Sequence, residues 1–153
     1  MNTRTAEASH TEAPHGEVAR RLAHVGQRYT AGRRALVDLL HQAGRPLEIP
    51  EILDAASDLP QSSTYRNLAV LERAGAVIRH PGAGGMARYE LSEALVGHHH
   101  HLVCDSCGRM EDYEAPAEIE GGLQAAVEAI AARSGFKATG HSLELRGLCS
   151  RCA

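Results

Sequence analysis

The chain of 153 residues has no tryptophan and a single phenylalanine, Phe136. Its core must therefore be aliphatic. No apolar run approaches the ~20 residues that a membrane-spanning helix needs. The opening, Met1 to Gly16, contains no apolar signal-peptide segment and reads as a disordered polar arm. Nothing in the chain points to secretion, so it is expected in the cytoplasm, where paired thiols more often bind metal than cross-link. The chain also lacks His-Glu-x-x-His and an evident general base, which argues against a zinc hydrolase and for a protein that is not an enzyme. There are only four cysteines, but ten histidines.

The cysteines form two Cys-x-x-Cys pairs, Cys104–Cys107 and Cys149–Cys152. Two intervening residues let a tight turn bring both sulfurs to one side, about 2.3 Å from one metal. Two such pairs far apart in sequence match a tetrahedral structural zinc site. Two disulfides are the competing reading.

Directly before the first pair stand His98, His99, His100 and His101. In an extended segment successive side chains point to opposite faces. His99 and His101 then share one face, and His98 and His100 the other. One short strand can therefore serve two metal sites besides the cysteine site. A solvated polar run or an engineered tag is the bland alternative, but a tag usually sits at a terminus.

The front of the chain has a helical period. Glu17–Val25, a second helix from an N-cap at Thr30 to Ala43, a third from Pro50, and a fourth from caps at 61–64 to about Ala74 are expected. The period then changes. Ala76–His80 and Met86–Leu91 read as strands joined by a flexible tip at 81–85. Short helices followed by a hairpin are the pattern of a winged helix-turn-helix, whose last helix enters the major groove of DNA. The first turns of that helix carry Gln61, Ser62, Ser63, Thr64, Tyr65, Arg66 and Asn67, groups suited to base edges and phosphates. Arg28, Arg33, Arg79 and Arg88 are candidate phosphate contacts. Residues 17–91 hold 10 basic against 8 acidic side chains, whereas 92–153 hold 5 against 9. A mildly basic front and an acidic rear fit polyanion contact in front and metal contact behind.

Behind a hinge at 92–97, the rear unit reads as strand, strand (Met110–Tyr113), alanine-rich helix (about Pro116–Ser134) and strand (His141–Arg146). A unit of about 55 residues has a marginal core, and zinc together with a dimer partner would make up the deficit. The expected class is α+β: an arm over 1–16, a winged helix over 17–91, the hinge, and a small α/β dimerisation domain over 98–153 with a three-stranded antiparallel sheet.

These residues resemble the ferric-uptake-regulator (Fur) family of metal-sensing repressors. The resemblance covers roughly Arg20 to Cys152. It rests on Ser63-Thr64-Tyr65-Arg66-Asn67-Leu68, Arg88-Tyr89-Glu90-Leu91, His98–Cys107, His141-Ser142-Leu143-Glu144-Leu145 and Gly147-Leu148-Cys149. It implies a homodimer that binds operator DNA when metal-loaded, with structural zinc on the four cysteines. It implies a regulatory site between the domains at Glu90, His99 and His101. A further ligand often comes from the loop before the third helix, where this chain has Arg45-Pro46-Leu47; His80 on the wing is the substitute. It implies a third site at His98, His100, His141 and a carboxylate, Glu120 in preference to Glu118. Uninterrupted histidines look like the zinc-sensing branch and Glu90 like the iron type, so the regulatory metal is zinc or iron(II). The alternative function is a metal-storage or metal-delivery protein that does not control DNA.

Overall fold

The computed structural model describes residues 13–82 and 85–153. The arm expected over 1–16 falls largely on residues 1–12, outside the described residues, and its last two positions already belong to the first helix. That helix, α1 (His15–His24), is followed by α2 (Ala31–Ala43), β1 (Leu47–Glu48), α3 (Ile49–Ala55), α4 (Gln61–Arg73), β2 (Val77–Pro81) and β3 (Ala87–Leu91). The rear half comprises α5 (Glu93–Val96), β4 (His100–Cys104), β5 (Met110–Tyr113), α6 (Ala117–Ser134) and β6 (Glu144–Gly147).

The front half is built around one aliphatic core. Val18 and Leu22 of α1, Leu36, Val37 and Leu40 of α2, Ile52 of α3, and Leu68 and Leu71 of α4 meet there and are closed off from solvent. Their spacings of three and four residues put them on one face of each helix. α2 ends as expected at Gly44, whose φ of 55° is the left-handed conformation that glycine adopts without strain. Two expected caps differ. Thr30 sits at the N-cap position of α2, but its side chain makes no capping bond. Pro60, not any of 61–64, is the N-cap of α4.

The strand β1 was not legible, because two residues leave no period to read. It joins the wing in an antiparallel sheet of order β1-β3-β2. β3 is therefore central, and all five of its residues are buried. Two of them, Arg88 and Glu90, are charged, and a buried charge is costly unless partners compensate it. Both find partners beyond their own strand.

The hinge segment holds the single turn of α5. The second sheet has the order β5-β4-β6, with β5 antiparallel to β4 but β6 parallel to it. The all-antiparallel sheet expected here is corrected to a mixed one. α6 and the connection after it carry the chain back far enough to enter β6 in the direction of β4, as parallel pairing requires. α6 buries none of its residues, and Ile130, Phe136, Leu145 and Leu148 are more than half exposed. This half leaves apolar surface uncovered.

Candidate metal centres and nucleic-acid face

Because β4 and β6 run side by side in the same direction, their ends coincide. Cys104 closes β4 opposite Gly147 of β6, so the turn at Cys107 and the terminal pair Cys149–Cys152 arrive together. One sulfur from each cysteine lies within 4.8 Å of the other three, and no disulfide forms between them. Backbone N–H groups of Cys107 and Cys149 point at the Cys104 sulfur, the latter at 3.3 Å, and pull its thiol down to about 6. A hydrogen bond from Ser106 acts downward on Cys152, but the neighbouring sulfurs prevail and hold it up at about 11. Four crowded sulfurs cannot all ionise without a cation, and thiolates are the ligand form for zinc. The donor set fits that metal.

The second cluster joins the two sheets. Glu90, on the central strand β3, meets His99 Nε2 at 3.1 Å and His101 Nε2 at 3.2 Å. His80 of β2 reaches Glu90 Oε1 at 2.5 Å. The alternation expected of the histidine run holds, since His99 and His101 face this way together. Burial acts to raise the Glu90 carboxyl, but hydrogen bonds from His101, His80 and His99 outweigh it and hold it well below the usual carboxylate range. The Glu90 hydrogen bond in turn pushes His99 up to about 9.

Asp112 completes this group and was missed in the sequence. Its signal was weak: one of two adjacent acids in the short strand β5, placed opposite His101 only by the strand register. Burial lifts its carboxyl to about 6, against the attraction of His99 and with Glu90 adding repulsion. Its buried Oδ1 has no hydrogen-bond partner among the described residues. A buried acceptor that faces imidazoles and lacks a donor suits a cation.

The third cluster uses the other strand face. His100 Nε2 lies 2.8 Å from Glu120 Oε2. His98 Nε2 and His141 Nε2 approach Glu120 Oε1 at 3.4 and 3.0 Å. His141 Nε2 is close without hydrogen-bonding geometry, and it and His100 Nδ1 are buried with no hydrogen-bond partner among the described residues. Glu120 enters from the first turns of α6, whereas Glu118 is exposed and outside the group. This site also fits a cation held by nitrogen and oxygen.

On α4, Gln61, Ser62, Tyr65 and Arg66 are exposed, and Ser63 and Asn67 half-buried. Thr64 is corrected: it is closed to solvent, its hydroxyl turned back on the Pro60 carbonyl at 3.5 Å. One position per helical turn must face the core, and here that position is 64, in line with Leu68 and Leu71. Arg28 is exposed. Arg33 donates to Asn67 Oδ1 at 3.3 Å and to the Arg28 carbonyl, which braces α4 against the start of α2. Arg33, Arg66 and Arg73 line one groove beside α4. Arg88 is also corrected: it is 3% exposed, and its guanidinium is engaged inside the protein.

Comparison with known proteins agrees with this geometry. The family model described as "Ferric uptake regulator family" matches residues 24–146. The ferric uptake regulation protein of Legionella pneumophila is 32% identical over 141 residues, covering 89% of this chain and 98% of the relative. That of Neisseria gonorrhoeae is 32% identical over 132 residues, covering 83% and 87%. Among solved structures, the Vibrio cholerae ferric uptake regulator has a TM-score of 0.68 at 29% identity, covering 85% of this chain and 98% of that one. A zinc-bound manganese uptake regulator has a TM-score of 0.62 at 26% identity, covering 87% and 98%. With the match running from the end of α1 into β6, through both sheets and two of the three clusters entire, the chain belongs to the ferric uptake regulator family, whose members are metal-responsive transcriptional repressors.

Proposed function

We propose that this chain represses transcription as a cytoplasmic homodimer that binds operator DNA when metal holds its two halves at a fixed angle. The single observation that carries the reading is the cluster in which Glu90 and His80 of the wing sheet meet His101 and Asp112 of the second sheet and His99, just before it. A site shared by two sheets is a lever on the angle between them.

In this reading residues 17–91 bind DNA, 92–97 form the hinge, and 98–153 dimerise. Cys104, Cys107, Cys149 and Cys152 hold structural zinc. His98, His100, Glu120 and His141 form a further site. The regulatory group offers nitrogen and oxygen but no sulfur, a donor chemistry shared by zinc and iron(II). When bound, the regulatory cation supplies the positive charge that Glu90 and Asp112 jointly call for. Glu90 draws His99 and His101 toward the wing, and Asp112 of β5 faces the same two Nε2 atoms at 3.8 Å. The two copies of α4 then present Gln61, Ser62, Tyr65 and Arg66 to successive major grooves, about 34 Å apart. Arg28 and Arg33 flank that helix and suit phosphates. The exposed apolar surface of α6 and β6 supports a dimer partner.

The test is a promoter-DNA gel shift with zinc, iron(II), manganese and no regulatory metal in parallel. Metal-stimulated binding by a dimer is expected. DNA affinity indifferent to every metal would return the chain to the metal-storage reading.

A further inference from the structure

We infer that Arg88 is a positioning residue that ties the cysteine knuckle to the helix-turn-helix without any metal. On β3, Arg88 and Glu90 are two residues apart and share a face. Both turn toward the second half of the chain. Glu90 goes to the histidines, while Arg88 goes elsewhere. Its Nη2 donates to Glu48 Oε1 at 2.7 Å and also to the carbonyl of Gly108, in the turn that follows Cys107. One nitrogen thus bridges the two halves. Arg88 also walls a cleft whose other sides include Pro81 and Gly82 of the wing and Cys104 and Asp105 of the knuckle.

The far end of this strut is equally specific. Glu48 is the N-cap of α3 and forms a capping box with Glu51, which accepts the Glu48 amide at 2.8 Å and pairs with Arg45 at 2.6 Å. The line therefore runs from the Gly108 carbonyl through Arg88 to Glu48, the start of α3 and Arg45. A guanidinium suits this place because it is always charged and its donors are held in a rigid fork. None of these groups belongs to a cysteine, histidine or carboxylate cluster. The strut therefore persists when the regulatory site is empty and limits how far the halves swing apart. The regulatory metal acts on a hinge already restrained on one side.

Small-angle X-ray scattering on the full-length dimer tests this, with cysteine-bound zinc retained and regulatory metal removed. The double variant Arg88→Met/Glu48→Met removes both charges, so neither is left buried alone. Expected is a larger radius of gyration than wild type in the metal-free state, with the two converging on saturation with zinc. DNA affinity, measured alongside, should fall about tenfold metal-free and recover to within about threefold with metal. Superimposable metal-free profiles overturn the inference. So does a double variant equally expanded with metal, since that marks general loosening. Should the double variant not fold, Glu48→Gln keeps the shape, removes one charge, and must give the same ordering. The scattering needs no DNA, so failure of the DNA-binding reading and failure of this one are separate results.

Discussion

Replacing Glu90 by glutamine removes one negative charge and almost no volume from the cluster that joins the sheets. The structure supplies the size of the effect. His99 is 6% exposed and rises from 6.5 to about 9, chiefly through its hydrogen bond to Glu90. A shift of that size is worth about 3 kcal/mol of preference for a positive charge at the imidazole. A divalent cation in the same place meets the same carboxylate. Glu90→Gln should therefore weaken regulatory metal by on the order of 10²–10³-fold near pH 9, and far less at pH 6–7, where losing Glu90 also relieves the competition from the His99 proton. At the higher pH and a metal concentration that just saturates wild type, its DNA affinity should match metal-free protein. The pH dependence carries the sign. The folded value of His99 lies above its ordinary one, so its pairing with Glu90 is complete below pH 6.5 and lost as pH rises through about 9. Seen from Glu90, whose carboxyl is held low, the same interaction is present above pH 4.5 and fades in acid, and it is counted once. Metal competes with the His99 proton. Wild-type metal affinity should therefore climb about tenfold per pH unit, from this group alone, up to about pH 9. In Glu90→Gln that climb should stop near the ordinary histidine value. The assay is a metal titration followed by fluorescence anisotropy of labelled operator DNA at pH 6, 7, 8 and 9. A loss of metal affinity below tenfold at pH 9, or an unchanged pH slope, refutes the reasoning.

Cys104→Ser or Cys149→Ser should lose one tightly held zinc and weaken the dimer, because the metal's binding energy is part of the folding energy; elemental analysis with analytical ultracentrifugation checks this, and a mutant dimer of unchanged zinc content contradicts it. Tyr65→Ala and Arg66→Ala should weaken operator binding about tenfold or more at normal metal content. If Arg66 touches phosphate, the loss should be uniform across sequences and reduce the salt slope by about one. His98→Ala and His100→Ala should disturb the metal switch less than His99→Ala, since they face Glu120 rather than Glu90; DNA affinities of all three at saturating metal give the order, and the reverse order places the switch within the rear half.

Features that depend on neighbours in sequence were legible in advance. A helix shows its core face through spacings of three and four, so Leu36, Leu40, Leu68 and Leu71 were readable as buried. Two residues between cysteines already make a shared turn. Four consecutive histidines on an extended chain must alternate, and that alternation divides His99 and His101 from His98 and His100 before any fold is known. What the tertiary structure alone decided lies across strands. Asp112 joins the histidines because β5 is in register with β4, and register is set by pairing between segments. The exclusion of Thr64 from the exposed face follows from which side of α4 meets the core. Arg88 reads in sequence as one more surface cation, yet the central place of β3 buries it and gives it to Glu48 and Gly108. β6 runs parallel to β4 because the path of α6 returns it that way, and only that direction brings Cys149 and Cys152 to the end of the sheet where Cys104 and Cys107 stand.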